Sequence, residues 1–369
     1  MLESYALSLL KSMLKIYSPT GSEHQLAKFL SGEMARLGFT VDIDAAGNVV
    51  GSLGEGPEVL MCGHMDTVRG RLPVKVREGR IYGRGSVDAK GPLAAIITAA
   101  KLYAQSRDSL KVVVAAVVDE EGYSRGVKHL ISYLPKPICA FFGEPSNTYG
   151  ITVGYKGALS ADIIVKTQTG HVASSELYVN AAELAYEVWL KIKEEASRRS
   201  KPESRFHSLD AALTHVASKR RPGVLPDECS ISVNLRLPPN MTCEETASLL
   251  QRWVAEAASP YPSATAEAFI KDCVEAFQVA PTAPPVRALQ RAIIKVLGRP
   301  PAILRKTGTG DVNVASSKWD IPMAVYGPGD SKLDHTPEEN LAIQDYFDSI
   351  KVYAQALREL ESLHRRVDQ

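Results

Sequence analysis

The sequence predicts an α/β protein: a mixed, largely parallel sheet with flanking helices, interrupted by a smaller ferredoxin-like domain of βαββαβ order. Three observations predict it. The 369 residues exceed what one hydrophobic core usually serves, so two domains are expected. Short unbroken apolar runs at residues 59–62, 112–118, 138–142 and 323–326, each bounded by turn residues or helical stretches, have the pattern of strands buried on both faces. Between them, residues 157–271 follow a different rhythm, and the α/β pattern resumes near Pro281, so the second domain is an insertion.

Taken in order, residues 1–37 read as two amphipathic helices separated by Ser18-Pro19-Thr20-Gly21, with Ser22 and Gln25 offering a capping box for the second. A helical stretch at 93–105 follows the first buried run. The insertion reads as strand 158–167, helix 177–198, strands 208–217 and 229–237, helix 243–257 and strand 263–271, with a capping box from Thr242 to Glu245. The expected boundaries are 1–156 and 272–369 for the two parts of the larger domain and 157–271 for the insertion.

Composition excludes several classes of partner. Forty-three Lys and Arg against 42 Asp and Glu leave a net charge of +1, which gives no electrostatic reason to expect nucleic acid or a membrane surface. The N-terminus carries Glu3 and no basic region ahead of an apolar run, unlike a signal peptide. No apolar run approaches the roughly 18 residues that cross a bilayer. Five cysteines, odd in number and without a CxxC pair, argue against a zinc ribbon or a secreted disulfide framework, so a cytoplasmic location is expected.

Chemistry gathers directly after the buried runs: His64 and Asp66 after the first, Glu120 and Glu121 after the second, Glu144 after the third. Open α/β sheets bind ligands outside the carboxyl ends of their strands. Carboxylates converging there repel one another by several kcal/mol unless a cation neutralises them, so a metal is expected. In Gly63-His64-Met65-Asp66, residues two apart on an extended chain face the same side, so Asp66 can accept the proton of the His64 nitrogen that faces away from the metal. Tyr82-Gly83-Arg84-Gly85-Ser86-Val87-Asp88-Ala89-Lys90-Gly91 delivers Asp88 on a turn before a helix, and a carboxylate there can bridge two metals roughly 3.5 to 4 Å apart. Neighbours on an extended segment point in opposite directions, so Glu120 and Glu121 are not expected on one metal.

These residues, in this order, resemble the family of di-zinc metallopeptidases and deacylases that includes acetylornithine deacetylase, succinyl-diaminopimelate desuccinylase and aminoacylase. The resemblance covers essentially the whole chain and implies two Zn²⁺ per subunit, with Co²⁺ as a substitute. It makes His64 and Glu144 ligands of one zinc, Glu121 and His335 ligands of the other, and Asp88 the bridge; His335 lies in Asp334-His335-Thr336-Pro337-Glu338-Glu339, which resembles the family's final motif. Four positive charges then meet Asp88, Glu121, Glu144 and a hydroxide, leaving a near-neutral cluster. Glu120 is left over, and the resemblance assigns it as general base.

In the inserted domain, Thr169-Gly170-His171 resembles the family segment whose histidine stabilises the oxyanion, often across a dimer interface, although Val172 follows and the usual proline is missing. Arg236 resembles the arginine that grips a substrate carboxylate, and Gly308-Thr309-Gly310-Asp311 a glycine-rich substrate loop, with Gly310 where Ser is common. A homodimer through the inserted domain is implied. The short stretch 67–76 and the run Asp88-Ala89-Lys90-Gly91-Pro92-Leu93-Ala94 look like hydrolases that release lysine or ornithine from the C-terminal glutamate of an acidic amino-group carrier protein, LysW. Basic clusters at Arg198-Arg199-Ser200-Lys201 and Lys219-Arg220-Arg221 then suggest steering of that carrier. The alternatives are an acetylornithine or N-acyl-amino-acid deacetylase or dipeptidase, and, of another class, a non-catalytic metal-binding protein.

Overall fold

Unbroken apolar runs can be buried only where both faces of a strand are covered, and the predicted runs do lie in the middle of one sheet. The structure, a computed structural model, describes residues 2–106, 109–219 and 221–364. Strand Glu58–His64 sits between Lys111–Val117 and Cys139–Gly143, parallel to both, and Cys139–Gly143 is parallel in turn to Met323–Tyr326. Antiparallel strands extend the sheet on either side: Val49–Leu53 and Thr40–Ile43 beyond Lys111–Val117, and Gly150–Tyr155 beyond Met323–Tyr326. The sheet is therefore mixed, with its parallel strands central. Helix Lys90–Ala104 buries 12 of its 15 residues, which explains why it reads as apolar all round rather than as a stripe. It packs on the sheet and against the last helix, Ile343–His364.

By contact density the chain divides into two units, one of residues 1–153, 279–305 and 310–369, the other of Gly154–Gln278 with Lys306–Thr309. The second has one four-stranded antiparallel sheet in the order Asp210–Ser218, Glu228–Leu237, Gly157–Lys166, Thr265–Val274. That is the ferredoxin-like order. Gly157–Lys166 buries alternate side chains against helices Ala181–Arg198 and Cys243–Ala258 and leaves the others facing away.

Local signals were honoured unevenly. The Thr242–Glu245 capping box forms with both of its hydrogen bonds. The Ser22–Gln25 box does not: the helix starts at His24 behind Glu23, and no side chain caps it. Glu23 is buried, and its carboxylate accepts instead from Gly21 N at 2.9 Å and Asp119 N at 3.2 Å, so a tertiary contact has displaced the local cap. The first helix of the second unit starts at Ala181, where Asn180 caps it, rather than at 177, because Val172–Leu177 forms 3₁₀ turns. Cys243 and Cys273 form a disulfide with 5.9 Å between their Cα atoms, tying a helix start to a strand. Cys62, Cys139 and Cys229 are free and buried. Among the described residues no helix is long and apolar enough to cross a membrane.

Candidate metal centre

His64 ends the central strand, and the turn after Lys111–Val117 and the residue after Cys139–Gly143 come out at the same edge, so parallel pairing alone brings His64, Glu120, Glu121 and Glu144 together. Asp88 arrives on the loop before helix Lys90–Ala104. A Cβ on Gly91 would stand 2.2 Å from Ser86 O, so only glycine lets that loop fold back so tightly. The Asp88–Ala89 peptide is cis. His335, within the cluster, and Asp119, beside Glu120, adopt positive φ of 62° and 64°, a backbone state uncommon outside glycine and frequent at functional sites.

Two groups of ligand atoms result, and Asp88 belongs to both. In the first, His64 Nε2 lies 3.0 Å from Asp88 Oδ1 and 4.0 Å from Glu144 Oε1. In the second, His335 Nε2 lies 3.1 Å from Asp88 Oδ2 and 2.9 Å from Glu121 Oε1. Within each group the ligand atoms fall within 4.8 Å of one another. Imidazole nitrogens and carboxylate oxygens at such separations fit two divalent cations sharing one bridging carboxylate.

The electrostatics point the same way. Burial pushes the His64 imidazole towards its neutral form, but hydrogen bonds to Asp66 and Asp88 outweigh it and raise its pKa well above the usual value. Hydrogen bonds donated to the Asp88 and Glu121 carboxylates raise His335 to about 10. Asp88 is pushed up by burial and pulled further down by hydrogen bonds to His335 and His64. Without a cation, protons on the two histidines therefore do the neutralising.

Asp66 works differently from the expectation. His64 Nδ1 meets the backbone carbonyl of Asp66 at 2.9 Å, with the carboxylate at 3.4 Å. The fully buried carboxylate is occupied elsewhere: Oδ1 accepts from Glu120 N at 3.1 Å, and Oδ2 from Glu121 N at 3.1 Å and Thr20 Oγ1 at 2.9 Å. Asp66 thus orients the imidazole and also pins both glutamates. Glu120 and Glu121 stand on a turn, not on an extended strand, so their divergence comes from those two amide anchors rather than from strand alternation. Glu121 turns to His335, while Glu120 belongs to neither ligand group. Burial pushes the Glu120 carboxyl well up, and Glu144, Asp311 and Asp88 add to the rise against His64. A Cβ on Gly310 would stand 3.3 Å from Glu120 Oε1.

Two carboxylates that the sequence placed inside motifs without a role of their own also belong to the site. Glu339, in the segment after His335, does not open a helix but is buried; its Oε1 accepts from Gly85, Val87 and Asp88 N at 3.0 to 3.1 Å, and its Oε2 pairs with Arg84 at 2.8 Å. It holds the loop that carries Asp88. Asp311, 3% exposed, is pushed up to about 7 by burial. Its neighbour Gly310, beside Glu120, was the only available signal.

The remaining predicted residues lie in the second unit. Arg236 Nη1 donates to Thr309 Oγ1 at 3.3 Å, and among the described residues Arg236 has no carboxylate within ion-pair distance. Both it and Gly308 line a cavity of about 660 Å³ with Asp162, Asp210 and Lys271. His171 is exposed, and its Nδ1 accepts from Ala173 N at 3.1 Å. The basic clusters are largely neutralised: Arg198 pairs with Glu194 and Glu195, Arg199 with Glu195, and Arg221 with Asp227, while Arg220 lies outside the described residues.

Comparison with known proteins shows the family of the chain. A Pyrococcus furiosus protein bearing the LysW-lysine/LysW-ornithine hydrolase name is 37% identical over 96% of this chain and 97% of its own. The LysW-lysine hydrolase of Deinococcus radiodurans is 34% identical over 96% and 97%. Among solved structures, aminopeptidase PepT of Bacillus cereus superposes with a TM-score of 0.84 at 18% identity, covering 97% of this chain and 98% of its own. The M20 metallo-carboxypeptidase Sso-CP2 of Sulfolobus solfataricus does so at 0.80 and 17%, covering 97% and 99%. The profile of peptidase family M20/M25/M40 matches residues 60–359, so the chain, a hydrolase of amide bonds, belongs to that family.

Proposed function

We propose that this protein releases lysine or ornithine from the C-terminal glutamate of the LysW carrier, hydrolysing the isopeptide between the glutamate γ-carboxyl and the α-amine of the amino acid. The observation that carries this reading is the 34 to 37% identity, over 96% of the chain, to proteins named for that hydrolysis.

In this reading His64, Glu144, Glu121, His335 and the shared carboxylate of Asp88 would hold two Zn²⁺. Such ions supply Lewis acidity that polarises the scissile carbonyl and acidifies water. Glu120 takes the proton of the attacking water and returns it to the departing amine. His64 is kept in register by Asp66, which also fixes the glutamate turn from which Glu120 acts. Arg236 grips the amino acid carboxylate, for which its free guanidinium edge is suited, and Thr309 and Gly308 flank it. His171 stabilises the oxyanion. The protein acts in the cytoplasm as a homodimer through the second unit. There, among the described residues, strand Asp210–Ser218 has a neighbour on one side only, and Tyr186, Leu190 and Val216 are 59, 44 and 57% exposed, a combination that monomers usually suppress.

The two histidines make loading pH-dependent with a definite sign. A metal needs neutral imidazole, whereas hydrogen bonds donated to the Asp88 and Glu121 carboxylates raise His335 to about 10 and His64 is also raised, so the metal-free site carries protons at neutral pH. Zinc affinity is expected to rise as pH increases from 6 towards that value, with proton release on binding. Calorimetric titration in buffers of different ionisation enthalpy measures the protons directly; a pH-independent affinity without release contradicts it.

The substrate is tested by offering the zinc-loaded protein LysW-lysine, LysW-ornithine and N-acetylornithine side by side. Release of lysine or ornithine from the carrier at a kcat/KM well above that for N-acetylornithine is expected. The reverse order assigns the protein to small-substrate deacylation.

A further inference from the structure

Besides the metal centre, the larger unit contains a cavity of about 280 Å³ whose polar lining comes from Lys15, Tyr17, Thr67, Arg71, Arg84 and Lys90. No carboxylate lines it. Its floor is buried: Lys90 and Thr67 are 1% exposed and Arg84 8%. Its rim is open, with Lys15 and Arg71 exposed and Arg71 stacked over the Tyr17 ring at 4.6 Å.

The hydrogen-bond accounts of these groups are incomplete. Lys90 Nζ donates to Met13 O at 3.2 Å and Ile16 O at 2.7 Å, and burial lowers its pKa to about 7, so it is not a permanent cation. Arg84 spends Nε on Gly70 O and Nη1 on Glu339, and Nη2 on neither. Among the described residues Thr67 Oγ1 is one of five buried hydroxyls without a hydrogen-bond partner, and Thr67 is the one of those five residues that lines the cavity. A buried hydroxyl in that state is stabilised by gaining a partner. Among the described residues Lys15 and Arg71 have no ion pair. Lys15, Arg71 and Arg84 gathered near a buried hydroxyl, with an ion pair among them only at Arg84, form a receptor for negative charge. The volume is several times that of one water, enough for a small tetrahedral or planar anion.

We propose that this cavity binds a small oxyanion, of the phosphate or carboxylate class, held by Arg71 and Lys15 at the rim and by Thr67, Arg84 and Lys90 below. The site touches the metal centre through one covalent neighbour, one residue two positions along the chain, and one clamp. Thr67 follows Asp66, Lys90 lies two residues beyond Asp88, and Arg84 holds Glu339, whose carboxylate carries the Asp88 amide. An anion bound there therefore stiffens the loop that delivers Asp88.

The test is calorimetric titration of the zinc-loaded protein with inorganic phosphate and, separately, with acetate, at constant ionic strength. Saturable binding is expected for at least one anion; the tighter of the two identifies the class. Arg71→Glu, at the exposed rim, is expected to weaken it by about tenfold or more, and Thr67→Val to weaken it as well, while stripping the metals with a chelator leaves it in place. Absence of saturable binding for both anions overturns the proposal. So does binding that persists in Arg71→Glu and Thr67→Val, or that vanishes when the metals are stripped, since such binding belongs to the metal centre.

Discussion

Replacing Glu120 with Gln is expected to lower kcat by about 10²- to 10⁴-fold, the usual contribution of a positioned proton carrier, without removing bound metal. The expectation follows from how Glu120 is placed. Its backbone amide is fixed by Asp66 Oδ1 at 3.1 Å, and its side chain takes part in neither group of ligand atoms. Gln keeps the shape and removes the exchangeable acid, so the ligand sets and the Asp66 anchor survive while proton transfer is lost. Burial, reinforced by Glu144 and Asp311, raises the Glu120 carboxyl well above the usual range. Two divalent cations nearby pull it back towards the carboxylate that a base requires. The wild-type rate should therefore fall as pH drops through the carboxyl's metal-loaded pKa, and this acid limb should disappear in Glu120→Gln. Metal content by elemental analysis and kcat across pH are the two readouts. Near-normal turnover by a metal-replete variant would show that another group carries the proton.

The parallel core and its edge were legible because the physics there is local and unambiguous. An unbroken apolar run such as 59–62 has few ways to be buried other than between two parallel neighbours, and parallel neighbours end on the same side. His64, Glu120, Glu121 and Glu144 inherit their proximity from that rule. The antiparallel strands Thr40–Ile43 and Val49–Leu53 were not legible. Thr40–Ile43 has mostly exposed side chains, so it carries no apolar signature to read. Where tertiary contacts compete with local ones, sequence patterns also mislead: Glu23 prefers the amides of Gly21 and Asp119 to a helix cap, and Ser22 is left out. The Cys243–Cys273 disulfide is invisible to spacing rules because its partners meet only after helix and strand have packed.

Within the site, residue types were more readable than their wiring. A His-x-Asp pair predicts a carboxylate behind an imidazole, but the nearest acceptor of His64 is the Asp66 carbonyl, and the carboxylate chiefly anchors the Glu120–Glu121 turn. Alternation along a strand could not have revealed this, since the strand ends at Val117. Glu339 was hidden for a related reason. Its role depends on three amides of the Gly85–Asp88 loop, some 250 residues earlier in the chain, that converge on one carboxylate oxygen.

Asp88→Ala is expected to lower metal affinity at both positions by more than about 100-fold, beyond the effect of losing a supporting outer contact, and to abolish measurable turnover. Asp88 gives Oδ1 to the group containing His64 and Oδ2 to the group containing His335, so one substitution removes a ligand from each. Glu121→Ala provides the contrast. Glu121 meets His335 at 2.9 Å and belongs to the second group alone, so its removal should release one metal and leave the His64–Glu144 position loaded. Charge reinforces the difference: losing the shared carboxylate leaves the two cations facing each other without the negative charge between them, a repulsion that the remaining ligands do not screen. Stoichiometry by elemental analysis after dialysis should thus fall from two towards zero for Asp88→Ala and from two towards one for Glu121→Ala. Two retained metals in Asp88→Ala, or equal losses in both variants, would mean that Asp88 serves a single ion and that the two groups are not joined through it.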